Sequence, residues 1–385
     1  MRTNDRRLGI RPANRADTVW RGGPRPGPGM TPARRREHRD PATLVSPPTH
    51  LLATIEELTG TPRRKLVDAE PTAVARSVAV SEVKVAKLHD DEVDIDAALV
   101  ARLLAEQFPK WAGLPIQVVA SSGTDNVTFR VGANLAVRLP RAAWAQGQVE
   151  KDLTWLPRLG PQLPLAVPQP LALGLPNEEF PFSWGVYRWL EGTAFEQNQL
   201  SDPSAAAREL AVFVHCLQQI DTTGAPMPDG PFGRGTPLAP RDELFRGAVD
   251  ELRDEFDVGL VLAAWEASLA VGAWDGPPRW IHGDLMPGNV LVADGRVAAV
   301  IDFGTAGAAD PAGDLLAAWY LFSGDSRRAF RDALEIDEHA WVRARGWTLS
   351  LEMIGLAYYR DRNPAALRNT RRIIGELLAD FAGER

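Results

Sequence analysis

Residues 280–304 concentrate side chains that could do chemistry. The run reads Trp280-Ile281-His282-Gly283-Asp284-Leu285-Met286-Pro287-Gly288-Asn289-Val290-Leu291-Val292 and closes on Val300-Ile301-Asp302-Phe303-Gly304. Asn289 follows Asp284 by five residues, and Asp302 comes thirteen later. Phosphoryl transfer asks for little covalent help from a protein. It needs a carboxylate to orient the attacking hydroxyl, and oxygen ligands for the metal ions that bridge the phosphates. Asp284 suits the first task. Asn289 and Asp302 suit the second, since Mg²⁺ takes carboxylate and amide oxygens and keeps several waters. Residues 290–292 and 298–301 read as two strands joined by Ala293-Asp294-Gly295-Arg296, a hairpin that would carry both ligands on neighbouring backbones.

The pattern His282-Gly283-Asp284, Asn289, Asp302-Phe303-Gly304 resembles the aminoglycoside phosphotransferase family, a branch of the protein-kinase-like fold. The resemblance extends in layout over roughly residues 95–385, and its specific part is 280–314. It implies an ATP- and Mg²⁺-dependent transfer to a hydroxyl group of a small molecule, with Asp284 as base, His282 orienting the loop, and Asn289 and Asp302 on magnesium. Members act on aminoglycosides, macrolides, choline, homoserine or sugars, so the family alone does not name the acceptor. A nucleotide-binding regulator without transfer activity is the second reading, disfavoured because base and metal ligands are all present. A protein kinase is disfavoured by Gly283, where those enzymes usually carry Arg, and by the lack of an Ala-Pro-Glu segment. Asp310-Pro311 and Asp314-Leu315 resemble the family's continuation, with Asp314 expected to cap a helix over 315–322.

Kinase-like enzymes pair a basic residue on the third strand with an acid on the next helix. Leu135-Ala136-Val137-Arg138-Leu139 puts Arg138 at that place. Glu150 and Asp152 compete as its partner. Helix phase puts Asp152 on the face of Val149, Leu153 and Leu156, and Glu150 on the polar side. Ser122, Gly123 and Thr124 lie between two strands, where the resemblance expects a nucleotide-positioning loop; an ordinary turn is the competing reading. Tyr187, Arg188, Trp189 and Leu190 resemble the strand and hinge that meet the adenine edge, with Trp189 equally suited to core packing.

The elements around these residues divide in two. Strands are expected at 116–119, 127–131, 135–139, 166–173 and 184–190, with helices at 97–108 (Asp96 as cap) and 148–156. After Gly192 the pattern turns helical, at 205–219, 243–256, 260–270, 314–322, 338–359 and 365–381. The expected architecture is α+β and bilobal: a small β-rich nucleotide-binding N-lobe over 93–191 and a larger helical C-lobe over 192–385, which carries the catalytic loop and acceptor site. Residues 1–92 begin with a stretch dense in Arg, Pro and Gly that cannot offset its conformational entropy, so a mostly disordered extension is expected.

A net charge of −7 argues against a nucleic-acid partner, which needs a surplus of Lys and Arg. No apolar run is long enough to cross a bilayer, and no secretory h-region is present. Cys216 is the single cysteine, excluding an intrachain disulfide and a cysteine-held zinc, and a cytoplasmic monomer or homodimer is expected. Trp341, Trp347, Tyr358 and Tyr359 could line a pocket but at helical spacing read as core. His215 and Cys216 also read as structural.

Overall fold

Period-two alternation decides what the front strands can position. The computed structural model describes residues 87, 92–119, 125–228, 230, 233–360 and 369–383. Nearly all of the expected N-terminal extension, and the loop residues Ser122, Gly123 and Thr124, fall outside the described residues. Strands β1 (Ile116–Val118), β2 (Asn126–Val131), β3 (Leu135–Pro140), β4 (Pro170–Gly174) and β5 (Trp184–Arg188) form one antiparallel sheet in the order β1-β2-β3-β5-β4. Leu135, Val137 and Leu139 of β3 join Phe129, Trp184 and Val186 in a core covered by Leu99, Val100, Leu103 and Leu104 of helix α1 (Ala97–Gln107). The carboxylate of Asp96 caps α1, accepting from the Leu99 N–H at 2.7 Å.

Alternation sends Arg138 to the opposite face of β3. There lies α2 (Gln148–Leu159), which buries Val149, Asp152, Leu156 and Leu159 at helical spacing. Glu150 is exposed, so the helix phase read from sequence is the one observed.

At Gly192 (φ +136°) the chain passes against the second sheet, where an added Cβ would lie 3.0 Å from Leu291 Cβ and 3.1 Å from the Val292 carbonyl oxygen. Only a residue without a side chain fits that crossing. Strand β6 (Thr193–Ala194) pairs with β8 (Val290–Ala293), which pairs with β9 (Arg296–Val300); β7 (Arg279–Ile281) pairs with β10 (Gly307–Ala309). Around them run α3 (Pro203–Gln219), α4 (Asp242–Glu251), α5 (Val258–Ala270), α6 (Ala317–Tyr320), α7 (Gly324–Leu334), α8 (Glu338–Tyr359) and α9 (Thr370–Gly383). Trp265, Trp280, Trp319, Trp341 and Trp347 fill their common core, as the core reading of the helical tryptophans expects.

Two expectations need correction, and one helix was not expected. The helix expected over 314–322 is instead a 3₁₀ turn (Pro311–Asp314) followed by the four-residue α6, because the Asp314 side chain is engaged elsewhere and does not cap it. Helix α7 escaped the sequence reading: Phe330 is its one buried large apolar residue, so it has no stripe to detect. It packs against α3 and is closed by a Ser323–Ser326 capping box, in place of the more recognisable Ser/Thr-x-x-Glu form. The strand expected from 166 begins only at Pro170, with Ala166 making a single bridge to Ala299. Among the described residues no helix is long and apolar enough to cross a membrane.

Helices α5 and α8 touch at Gly346, where a Cβ would sit 2.5 Å from Ser268 Cβ and 2.9 Å from Leu238 Cδ1. Alanine gains about 1 kcal/mol over glycine in a helix interior. Overpacking costs about 1–3 kcal/mol. The overpacking wins, so Gly346→Ala should destabilise the protein by up to about 2 kcal/mol, read as a lowered urea midpoint.

Candidate active site

The hairpin read from the sequence forms, and its turn residues Asp294 (φ +51°) and Gly295 (φ +76°) both take the positive φ a two-residue connection demands. Its two ends carry Asn289 and Asp302. A backbone bond from Ile301 N–H to the Asn289 carbonyl at 2.8 Å ties those ends together. Asn289 Nδ2 donates to both the Asp284 carbonyl (2.9 Å) and Asp284 Oδ2 (2.8 Å). With its nitrogen committed to two acceptors, the amide must turn Oδ1 the other way. Asp302 is one of three non-glycine residues with positive φ (φ 64°, ψ 71°) among the described residues, a conformation held against local preference.

His282 bonds to both arms of the loop. Its Nδ1 accepts from the Asp284 N–H at 3.2 Å, so Nε2 carries the proton and donates to the Ile301 carbonyl at 3.0 Å. The ring is fully buried edge-on to Phe303, 4.8 Å between centroids, and Thr305 Oγ1 donates to the His282 carbonyl at 2.8 Å. Asp314 braces the same loop from below. Its two oxygens accept from the N–H groups of His282 (2.9 Å) and Gly283 (2.6 Å). Burial raises the Asp314 carboxyl above its ordinary value, against the pull of His282 and those two N–H groups.

Arg138 stands between the N-lobe acid and the hairpin. Nη2 reaches Asp302 Oδ1 at 3.1 Å and Nη1 reaches Asp152 Oδ2 at 3.6 Å. The Tyr187 hydroxyl donates to Asp152 Oδ2 at 2.9 Å. Burial works against the charge of Arg138, yet Asp302, Tyr187 and Asp152 together raise it above the usual guanidinium value. Burial also works to raise Asp302, but the Arg138 charge and hydrogen bond outweigh it and hold that carboxyl below the ordinary range. At Asp152 burial prevails over Arg138 and Tyr187, and its carboxyl is raised. The opposite directions follow the distances: Arg138 serves Asp302 first.

The remaining sequence candidates are less gathered. Tyr187 is buried and committed to Asp152. Arg188 is exposed, with Nε bonded to Gln169 Oε1 at 2.8 Å. Trp189 packs its ring under the Arg130 guanidinium, 4.6 Å from the centroid. The backbone N–H groups of Arg188 and Trp189 donate to the Gln169 and Asn134 carbonyls, and Leu190 is half-buried.

Three residues that bond to the site escape the sequence reading, and a fourth, Asp314, is expected there only as a cap. Gln148 accepts from Asn126 Nδ2 at 2.7 Å and donates to Asp125 Oδ2 at 3.1 Å, holding the end of the loop that precedes β2. Lys151 Nζ donates to the Gly304 carbonyl at 2.7 Å, linking α2 to the turn after Asp302. Gln148 lies four residues before Asp152 and so on its face, a signal that helix phase contains, whereas Lys151 lies beside that face and carries none. Arg234 Nη2 reaches Asp284 Oδ1 at 3.2 Å from a loop fifty residues earlier, where no local pattern marks it.

One carboxylate and one amide oxygen form a hard donor set, and the described residues contain no group of three or more His, Cys, Asp or Glu side chains that could cage a metal. That set fits Mg²⁺, which shares its ligands between a few protein oxygens, phosphates and water.

A family model described as the phosphotransferase enzyme family matches residues 116–347, more than half of the chain. Among solved structures the chain is similar to the GDP complex of wild-type aminoglycoside 2'-phosphotransferase-IIIa (20% identity, 73% of this chain and 98% of that one, TM-score 0.60). It is also similar to the GDP and kanamycin complex of APH(2")-IIia (18% identity, 73% and 98%, TM-score 0.58). A third, macrolide 2'-phosphotransferase type I, matches at 20% identity, 74% and 96%, with a TM-score of 0.50. At these identities the structures establish the kinase-like fold. Among curated proteins no sequence match is found.

Asp314→Asn should slow turnover and lower stability, because an amide cannot accept from both N–H groups. The pH sign follows from its raised carboxyl. A native state that binds the proton more tightly loses stability as pH rises from the unfolded aspartate value, about 4, through the higher folded one. The margin of wild type over Asp314→Asn should therefore be widest in acid, narrow through that window and then stay constant. Urea midpoints across a pH series measure it.

Proposed function

The chain belongs to the phosphotransferase enzyme family, and from that premise we propose that it moves the terminal phosphoryl group of ATP to a hydroxyl of a small molecule. The observation that carries this reading is Asp284: its carboxylate is held by Asn289 on one oxygen and Arg234 on the other, beside the hairpin that bears both candidate metal ligands. A carboxylate so fixed can accept a proton from an approaching hydroxyl without first reorganising.

In the proposed reaction the acceptor oxygen bonds to the γ-phosphorus as the bond to the β–γ bridging oxygen breaks. The hydroxyl proton passes to Asp284, and ADP leaves. Asn289 Oδ1 and Asp302 would hold Mg²⁺, which when bound supplies charge neutralisation along the phosphates. Arg138 would contact the phosphates while Asp152 and Tyr187 keep its guanidinium in the cleft. His282 and Asp314 keep the Asp284 backbone in register with Asn289. Gln148 would hold Asp125 and Asn126 at the start of β2. Amino sugars, macrolides, amino alcohols and simple sugars are the acceptor classes to try.

ADP release with ATP and Mg²⁺ against such a panel tests the proposal. At least one hydroxyl compound should raise ADP release above the rate with water alone. Asp284→Ala should lower that rate by about 10²–10⁴-fold while nucleotide still shifts the melting temperature. If ATP and Mg²⁺ leave the melting temperature unchanged and no panel member is phosphorylated, the proposal fails. Asp302→Ala should abolish the magnesium-dependent part of the nucleotide shift.

A further inference from the structure

We infer that Arg234 is a positioning residue for Asp284, which fixes the second oxygen of that carboxylate as Asn289 fixes the first. The inference rests on the proposed transfer reading for its kinetics, but its geometry stands on its own. Arg234 Nη2 lies 3.2 Å from Asp284 Oδ1, both side chains largely shielded, at 19% and 25% exposure.

The backbone of Arg234 is set by its neighbours. Thr236 Oγ1 donates to the Gly233 carbonyl at 2.8 Å, Trp347 Nε1 donates to the Thr236 carbonyl at 3.0 Å, and the Asp310 N–H donates to the Gly235 carbonyl at 3.2 Å. Its stem uses the space that Gly283 leaves. A Cβ on Gly283 (φ +78°) would fall 2.9 Å from Arg234 Cβ and 3.1 Å from Cγ. The glycine beside the base therefore admits a cation from a distant loop to the base itself.

Stability does not account for this placement. The Nε–H of Arg234 is buried without a partner, and its guanidinium adds to the burial that already pulls Arg241 down to about 10. A lost hydrogen bond and a like-charge neighbour oppose a single ion pair of similar size. What the arrangement supplies is a carboxylate restrained at both oxygens. The other charged and titratable groups coupled to this cation are Glu352 and Tyr320, themselves joined by a hydrogen bond.

The test uses the full chain, with ATP and Mg²⁺ and water as the acceptor, so that no unidentified substrate is needed. Arg234→Ala should slow ATP hydrolysis by about 10- to 100-fold with the KM for ATP within about twofold, the size expected when a reacting group is misplaced. Guanidinium chloride, well below denaturing concentrations, should restore part of the rate, and Arg234→Lys should fall between the two. A crystal structure of Arg234→Ala should show the Asp284 carboxylate displaced or in two positions. Hydrolysis at an unchanged rate, or a loss that guanidinium does not recover with Asp284 in its original place, would overturn the inference. If wild type hydrolyses no ATP, the transfer reading fails separately, and the Asp284 position in the variant crystal still decides the role of Arg234.

Discussion

One buried guanidinium holds the two halves of the site in a common frame. Arg138 is 14% exposed and lies between Asp152 on the N-lobe helix and Asp302 at the end of the hairpin. A buried charge that loses its partner costs roughly 3–5 kcal/mol, so the three groups constrain one another strongly. Each reaches the meeting point by elementary geometry. Strand alternation turns Arg138 out of the N-lobe core, helix phase turns Asp152 inward, and a left-handed backbone at Asp302 presents its carboxylate. The shorter contact, to Asp302, keeps that acid ionised, while Asp152 is left dependent on Tyr187 and carries one buried oxygen without a partner.

From that frame the loop over residues 282–289 is built by short-range bonds. His282 links the loop to the hairpin, Asp314 braces it from the chain that follows, and Asn289 joins Asp284 to the hairpin in one side chain. Most of these bonds are made by backbone N–H groups or to backbone carbonyls, which fixes the path of the loop while the Asp284 and Asn289 side chains meet and Asp302 turns to Arg138. Such an assembly suits a reaction in which placement and charge do most of the work.

The parts legible in the sequence were those whose information is local. The spacing of Asp284, Asn289 and Asp302 encodes a loop and hairpin within twenty residues, and helix periodicity favours Asp152 over Glu150. Asp314 was misread because an acid before an apolar run looks the same whether it caps that run or bonds a loop thirty residues back. Helix α7 was missed because its stability comes from packing against α3, not from an apolar stripe of its own. Arg234 could not be read, since what marks it is the empty space at Gly283, a contact across fifty residues. Among the adenine-side candidates, Tyr187 turns inward to the ion pair, and Arg188 and Trp189 spend their N–H groups within the N-lobe.

The central claim is that this loop sends a phosphoryl group to a small hydroxyl compound. Following the phosphate itself tests it most directly. With γ-labelled ATP, Mg²⁺ and pooled amino sugars, macrolides, amino alcohols and sugars, the label should move from ATP into a phosphate ester of a pool member, and Asp284→Asn should reduce that transfer to background. Label that stays in ATP or passes only to inorganic phosphate, or transfer undiminished in Asp284→Asn, would contradict the account.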